Sequence, residues 1–82
     1  MSAITMYGAD WCRDCRRAKS YLDERAIPFV YIDLEETPDE MQTVLAYNDG
    51  RTNIPVVVFA DGSHLTEPTN DELADKLASV DA

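Results

Sequence analysis

Basic residues are scarce: seven Lys and Arg stand against sixteen Asp and Glu in 82 residues, a formal charge of −9. A surface of that sign repels phosphate backbones and anionic lipid, which disfavours nucleic-acid and membrane-surface binding. Long apolar runs are missing too. None approaches the roughly 18 residues needed to cross a bilayer. Met1-Ser2-Ala3 lacks the basic start and apolar core of a secretory signal, so the expectation is a cytoplasmic protein with no membrane segment. Cysteine occurs twice (Cys12, Cys15) and histidine once (His64). Structural zinc takes four ligands, and these three fall short within one chain. A reducing compartment also disfavours a structural disulfide, which leaves redox or metal chemistry for two cysteines separated by two residues. Three glycines and four prolines sit singly, with no repeat or low-complexity tract between them. A chain this short does not divide, so residues 1–82 are expected to form a single domain. Folding at this size removes only about 60–65% of the unfolded chain's surface from water, so any catalytic site is expected to be shallow.

What is present reads as short periodic segments. Ala3 to Tyr7 is a strand ending at Gly8, and the loop Ala9-Asp10-Trp11 delivers Cys12 to a strand-to-helix turn. From Arg13 to Ala26, Cys15, Ala18, Leu22 and Ala26 recur at helical spacing. Pro28 breaks the pattern, and the β-formers Phe29 to Ile32 give a second strand, expected to lie parallel to the first after a right-handed crossover. Thr37-Pro38-Asp39-Glu40 has the form of a capping box opening a helix that buries Met41, Val44 and Leu45 and stops at Asn48-Asp49-Gly50. Val56 to Ala60, introduced by Ile54-Pro55, reads as a strand buried on both faces. Asp61-Gly62 signals a two-residue hairpin into Ser63 to Thr66. A second capping box, Thr69 to Glu72, opens a helix whose face is Leu73, Leu77 and Val80. The fold class is α/β, in the order β-α-β-α-β-β-α.

Chemistry concentrates at Cys12-Arg13-Asp14-Cys15. A thiolate, not a thiol, is the nucleophile, and a free thiol with a pKa near 8.5 is only a few per cent ionised at neutral pH. A helix N-terminus aims unpaired N–H groups and the positive end of the dipole at the Cys12 sulfur and favours its anion. Arg13, Arg16 and Arg17 add positive field, while Asp10 and Asp14 oppose it. Five of the seven basic residues (Arg13, Arg16, Arg17, Lys19, Arg25) crowd beside the cysteines. Cys12, at the exposed helix tip, is the expected attacker, and Cys15, one turn on and more covered, is the expected resolving thiol. Tyr7 and Trp11 flank the pair either as an apolar rim for substrate or as core filling. His64 reads as a partly exposed strand residue rather than a ligand.

Trp11-Cys12-Arg13-Asp14-Cys15, Thr52-Asn53-Ile54-Pro55-Val56 and the ending from Asp61-Gly62-Ser63 through Leu65-Thr66-Glu67-Pro68-Thr69-Asn70-Asp71-Glu72-Leu73 together resemble the glutaredoxin family along essentially the whole chain. Within it, the likeness is to the actinobacterial mycoredoxins, with the NrdH-type redoxins as neighbours. The resemblance implies a minimal thioredoxin fold with a four-stranded mixed sheet, the first two strands parallel and the last two an antiparallel hairpin. It also implies a cis Pro55 facing the cysteines, with Ile54 offering backbone hydrogen bonds to an extended substrate. The activity implied is thiol-disulfide exchange, with protein disulfides or S-thiolated proteins as substrates and no tightly bound cofactor or metal. Electrons would come through mycothiol or glutathione as co-substrate, or from thioredoxin reductase with ribonucleotide reductase as recipient, as in NrdH-type proteins. Some glutaredoxins instead hold an iron-sulfur cluster between two chains. Two departures stand out. Arg13-Asp14 replaces the usual Pro-Tyr between the cysteines. Glu67-Pro68 stands where glutathione-binding members carry Gly-Gly followed by Asp. Proline has no N–H and a carboxylate repels glutathione's two carboxylates, so a neutral sugar-containing thiol suits this chain better. Arg51, Thr69, Asn70 and Asp71 are the expected polar contacts, beside Trp11 and Arg13. Thr69 and Asn70 have a competing use in helix capping. The protein is expected to be a monomer.

Overall fold

The computed structural model describes residues 4–81. Ala3, expected at the start of the first strand, and the Val80 side chain, expected on the last helix face, lie outside what is described. Along the chain run β1 (Thr5–Gly8), α1 (Arg13–Glu24), β2 (Val30–Asp33), a 3-10 turn (Pro38–Glu40), α2 (Met41–Tyr47), β3 (Val56–Val58), β4 (His64–Thr66) and α3 (Asn70–Asp81). The strands form one sheet in the order β2-β1-β3-β4. β1 pairs with β2 in parallel, Met6 opposite Tyr31, and with β3 antiparallel, Met6 opposite Val57. β3 and β4 form an antiparallel hairpin. This is the mixed four-stranded sheet that the resemblance implied.

Alternation along the strands divides the core between two faces. Met6 and Val57 point into a cluster with Ala18, Tyr21 and Leu22 of α1 and Leu73 and Leu77 of α3. Tyr7, Val56 and Val58 point the other way, against Leu34 and against Val44, Met41 and Tyr47 of α2. Full burial of side chains such as Met6, Leu22 and Leu73 stabilises the fold by about 1.5–3 kcal/mol each. Val58 is only half-buried, so β3 is shorter and less symmetrically covered than the apolar run predicts.

Helix ends show where local signals hold and where they yield. α1 stops at Glu24, and Ala26, expected in the buried stripe, is exposed with φ 56°. There it closes the helix: Ala26 N–H donates to Asp23 O and Ile27 N–H to Leu22 O, the Schellman pattern that normally takes glycine. The hairpin loop holds three residues, Ala60-Asp61-Gly62, rather than two. Gly62 donates to Phe59 O and takes φ 86°, while Phe59 N–H bonds Ser63 O, as in a turn closed by a glycine bulge. Thr69 and Glu72 cap α3 reciprocally, Thr69 N–H to Glu72 Oε1 at 2.8 Å and Glu72 N–H to Thr69 Oγ1 at 3.1 Å. The box expected at Thr37–Glu40 does not form. The Thr37 hydroxyl donates instead to Asp33 O at 2.8 Å, and Pro38–Glu40 winds as a 3-10 turn before α2.

Candidate active site

Three sequence-distant segments meet at the start of α1. β1 ends at Gly8, where any Cβ would lie 2.8 Å from Cys15 Sγ and 3.2 Å from the Tyr31 hydroxyl. Lacking that atom, the strand end lets the helix close directly against it. Cys12 N–H bonds Ala9 O at 3.1 Å, tightening the turn, and Cys12 is the extended N-cap residue, with φ −81° and ψ 116°. Its sulfur takes the place that a serine or threonine oxygen takes in an ordinary cap, accepting the Cys15 N–H at 3.2 Å. From the far side, the Ile54 carbonyl stands 3.9 Å away, where the Cys12 thiol can donate to it. The Ile54-Pro55 bond is cis, as the resemblance implied.

Both cysteines are free thiols. Cys12 keeps 8% of its surface and Cys15 none, so the expected order of access holds although Cys12 is far less exposed than a helix tip suggests. Burial pushes the Cys15 thiol well above the ordinary range, with the Cys12 hydrogen bond reinforcing the shift and the Ala9 backbone opposing it. Cys15 is therefore held protonated, while the Cys12 sulfur faces the helix N-terminus that favours an anion. The three nearby arginines do not contribute alike. Arg16 Nη1 is bound to Asp10 O at 2.6 Å. Arg17 reaches across to Pro68 O and Asn70 Oδ1, both at 2.8 Å, and pairs with Asp14 at 3.7 Å. Arg13 is exposed and has no side-chain partner among the described residues.

Cys12 opens on a groove of about 450 Å³ lined by Trp11, Arg13, Asp14, Thr52 to Ile54 and Glu67. Trp11 is 67% exposed and forms its rim, whereas Tyr7 belongs to the core beneath α2. Thr69, Asn70 and Asp71 line a second hollow of about 430 Å³, joined to the first through Asp14 and Glu67. Arg51 lies in a third, of about 260 Å³, which shares Asn53 and Glu67 with the cysteine groove but not the cysteines. Glu67 thus stands where the three hollows meet, at φ 50° with its N–H on Pro55 O and its carboxylate accepting from Asn53 Nδ2 at 2.6 Å. Thr52 and Asn53 belong to a segment that carries the resemblance but were not among the expected contacts; their signal was their place beside Ile54-Pro55. Thr69 Oγ1 and Asn70 Oδ1 are already engaged, by the α3 cap and by Arg17. His64 packs on the Tyr47 ring at 4.8 Å. Among the described residues, no group of three or more His, Cys, Asp and Glu is placed to hold a metal ion, and no helix is long and apolar enough to cross a membrane.

A sulfur on a helix N-terminus, a buried protonated partner one turn on and a backbone carbonyl across a shallow groove are the components of thiol-disulfide exchange. Comparison with known proteins agrees. The family model described as glutaredoxin matches residues 4–65. A Mycobacterium tuberculosis protein named as a glutaredoxin is 37% identical over 79 residues, covering 96% of this chain and 94% of its own. Mycoredoxin 1 of Corynebacterium glutamicum is 34% identical over 80 residues, covering 98% and 99%. Among solved structures, the Archaeoglobus fulgidus glutaredoxin superposes with a TM-score of 0.80 at 24% identity, covering 94% of this chain and 87% of that one. Escherichia coli NrdH-redoxin gives 0.75 at 24%, covering 90% and 92%. The chain belongs to the glutaredoxin family of thiol-disulfide oxidoreductases.

Proposed function

We propose that the protein releases proteins from mixed disulfides with a low-molecular-weight thiol, as a cytoplasmic monomer, and that this thiol is mycothiol rather than glutathione. The Cys12 thiolate attacks the mixed disulfide and retains one half of it, and either the free thiol or Cys15 then displaces that half. Electrons come ultimately from NADPH. The observation that carries the reading is the groove beside Cys12. It presents the exposed Trp11 face and the Ile54 carbonyl to a substrate, and to any carboxylate the two anions Asp14 and Glu67 against one cation, Arg13. The adjoining hollow adds Asp71, and its single cation, Arg17, is spent on Pro68 O, Asn70 Oδ1 and Asp14. Two carboxylates of a glutathione moiety meet repulsion there, while hydroxyls meet acceptors. The likeness to mycoredoxin 1 along nearly the full length of both chains points the same way. In this reading Trp11, Arg13, Ile54 and Pro55 contact the substrate nearest the sulfur, and Thr69, Asn70, Asp71 and Arg51 contact its distal part.

The buried Cys15 favours a second reading, in which the pair acts as a dithiol, recharged by thioredoxin reductase as an NrdH-type donor. NADPH-coupled reduction of a mixed-disulfide substrate separates the two, with mycothiol and its reductase, glutathione and its reductase, or thioredoxin reductase alone. Cys15→Ser leaves intact the backbone N–H that caps Cys12, so it is expected to keep turnover with mycothiol. Turnover with thioredoxin reductase only, abolished in Cys15→Ser, would overturn the mycothiol reading and establish the dithiol one.

A further inference from the structure

A hollow of about 310 Å³, whose lining includes Asp10, Lys19, Tyr31, Asp33 and Glu36, shares no lining residue with the substrate groove. The parallel register sets Tyr31 of β2 opposite Met6, two residues before Gly8. Its phenol reaches forward along the strand until the hydroxyl stands 3.2 Å from the point where a Gly8 Cβ would be, a point that Cys15 Sγ approaches to 2.8 Å. The ring is held from the other side by Lys19, whose Nζ lies 4.0 Å from its centroid. The hydroxyl has no hydrogen-bond partner among the described residues. A polar group with donor capacity, fixed beside a buried thiol and otherwise unengaged, is available to whatever charge appears there.

We propose that the Tyr31 hydroxyl donates a hydrogen bond, directly or across one water, to the Cys15 thiolate as it forms during the resolving step. The inference rests on the two-thiol chemistry described above. In that step the Cys15 S–H gives up its proton to solvent, and Cys15 Sγ attacks Cys12 Sγ. The Cys12–substrate S–S bond breaks, and the electron pair leaves on the substrate sulfur, which takes a proton from solvent. The two cysteines are thereby oxidised to a disulfide by two electrons and the substrate half is reduced to a thiol, until a thiol or reductase restores the pair. The need for such a donor follows from burial: the Ala9 backbone favours a negative charge on Cys15, but desolvation outweighs it. The groups facing the phenol are Cys15 and Cys12, Asp10, Asp33 and Lys19. After burial, the largest influence raising the phenol's own pKa is Cys15, followed by Asp10, Asp33 and Cys12. Tyr31 therefore stays a neutral donor throughout, and Lys19 is the one cation among these groups.

The test follows each equivalent of coloured thiolate released when the reduced protein meets one equivalent of dithiobis(nitrobenzoate). The first equivalent reports attack by Cys12, and the second reports displacement by Cys15. Tyr31→Phe keeps the ring under Lys19 and removes only the hydroxyl. It is expected to slow the second release about tenfold near neutral pH and to move its rise with pH to higher pH, leaving the first unchanged. Adding Tyr31→Phe to Cys15→Ser, where only the first release exists, is expected to change nothing. A second release within twofold of wild type at every pH would overturn the role of Tyr31 alone, as would equal slowing of both releases, which marks a structural effect. No second release from wild type would overturn Cys15 as the resolving thiol and the inference with it.

Discussion

α1 and α3 begin the same way and for different ends. Each opens with a side chain that accepts an N–H from the residue three positions on, the sulfur of Cys12 in one and the hydroxyl of Thr69 in the other. At α3 the exchange is reciprocal: Glu72 returns the bond to Thr69 N–H, and the end is closed on itself. At α1 nothing returns it. Asp14 pairs with Arg17 instead, and the capping atom stays open to the groove and to the Ile54 carbonyl. One helix start is spent on stability, while the other lends its N–H groups and dipole to an atom that must become an anion.

The sharpest break of this comparison is Cys12→Ser, which converts the reactive cap into the ordinary one. Serine is a good N-cap, so stability to urea is expected to stay within about 0.5 kcal/mol of wild type. Reduction of mixed disulfides is expected to fall roughly a thousandfold or more, because a hydroxyl does not ionise at neutral pH. Residual turnover above a tenth of wild type would mean that the sulfur on the cap is not the nucleophile. Next in size is Gly8→Ala. The added methyl meets Cys15 Sγ at 2.8 Å in a fully buried setting, and overpacking of that kind costs about 1–3 kcal/mol. A urea midpoint unchanged from wild type would show that α1 has slack against β1. Thr69→Ala removes the acceptor for Glu72 N–H and is expected to cost about 1 kcal/mol by the same measurement.

The order of elements and the location of the chemistry were legible because both rest on local pattern. Helical spacing of Cys15, Ala18 and Leu22, the β-rich run at Val56, and a strand-to-helix turn ending in Cys12 all survive in the fold. Capping boxes were legible only in part. Thr37 and Thr69 each stand three residues before a glutamate, yet the Thr37 hydroxyl donates to the Asp33 carbonyl and the Thr69 hydroxyl accepts from the Glu72 N–H. The place of Glu67 at the site came through the resemblance and from no local pattern, since its geometry depends on a left-handed backbone and on hollows shared by segments more than ten positions apart. Tyr31 was hidden for a similar reason: its nearness to Cys15 comes from the register of β1 on β2 and from the missing side chain at Gly8. No one-dimensional period contains those facts. Arg17 likewise counted as local positive field, and only the fold shows its charge committed to Pro68 and Asn70.

The smallest effect tests the failed box directly. Thr37→Ala deletes a hydroxyl whose bond goes to Asp33 O, a carbonyl that also accepts the backbone N–H of Glu36 at 3.1 Å and of Thr37 itself at 2.9 Å. No helix donor loses its partner, the site is exposed, and the carbonyl remains satisfied. The cost is therefore that of one redundant surface hydrogen bond, about 0.5 kcal/mol or less, against the larger loss at Thr69→Ala. The two variants unfolded in urea side by side decide the matter. Equal losses would mean that Thr37 does cap α2 in solution, and that two segments with the same Thr-to-Glu spacing are also alike in what they do.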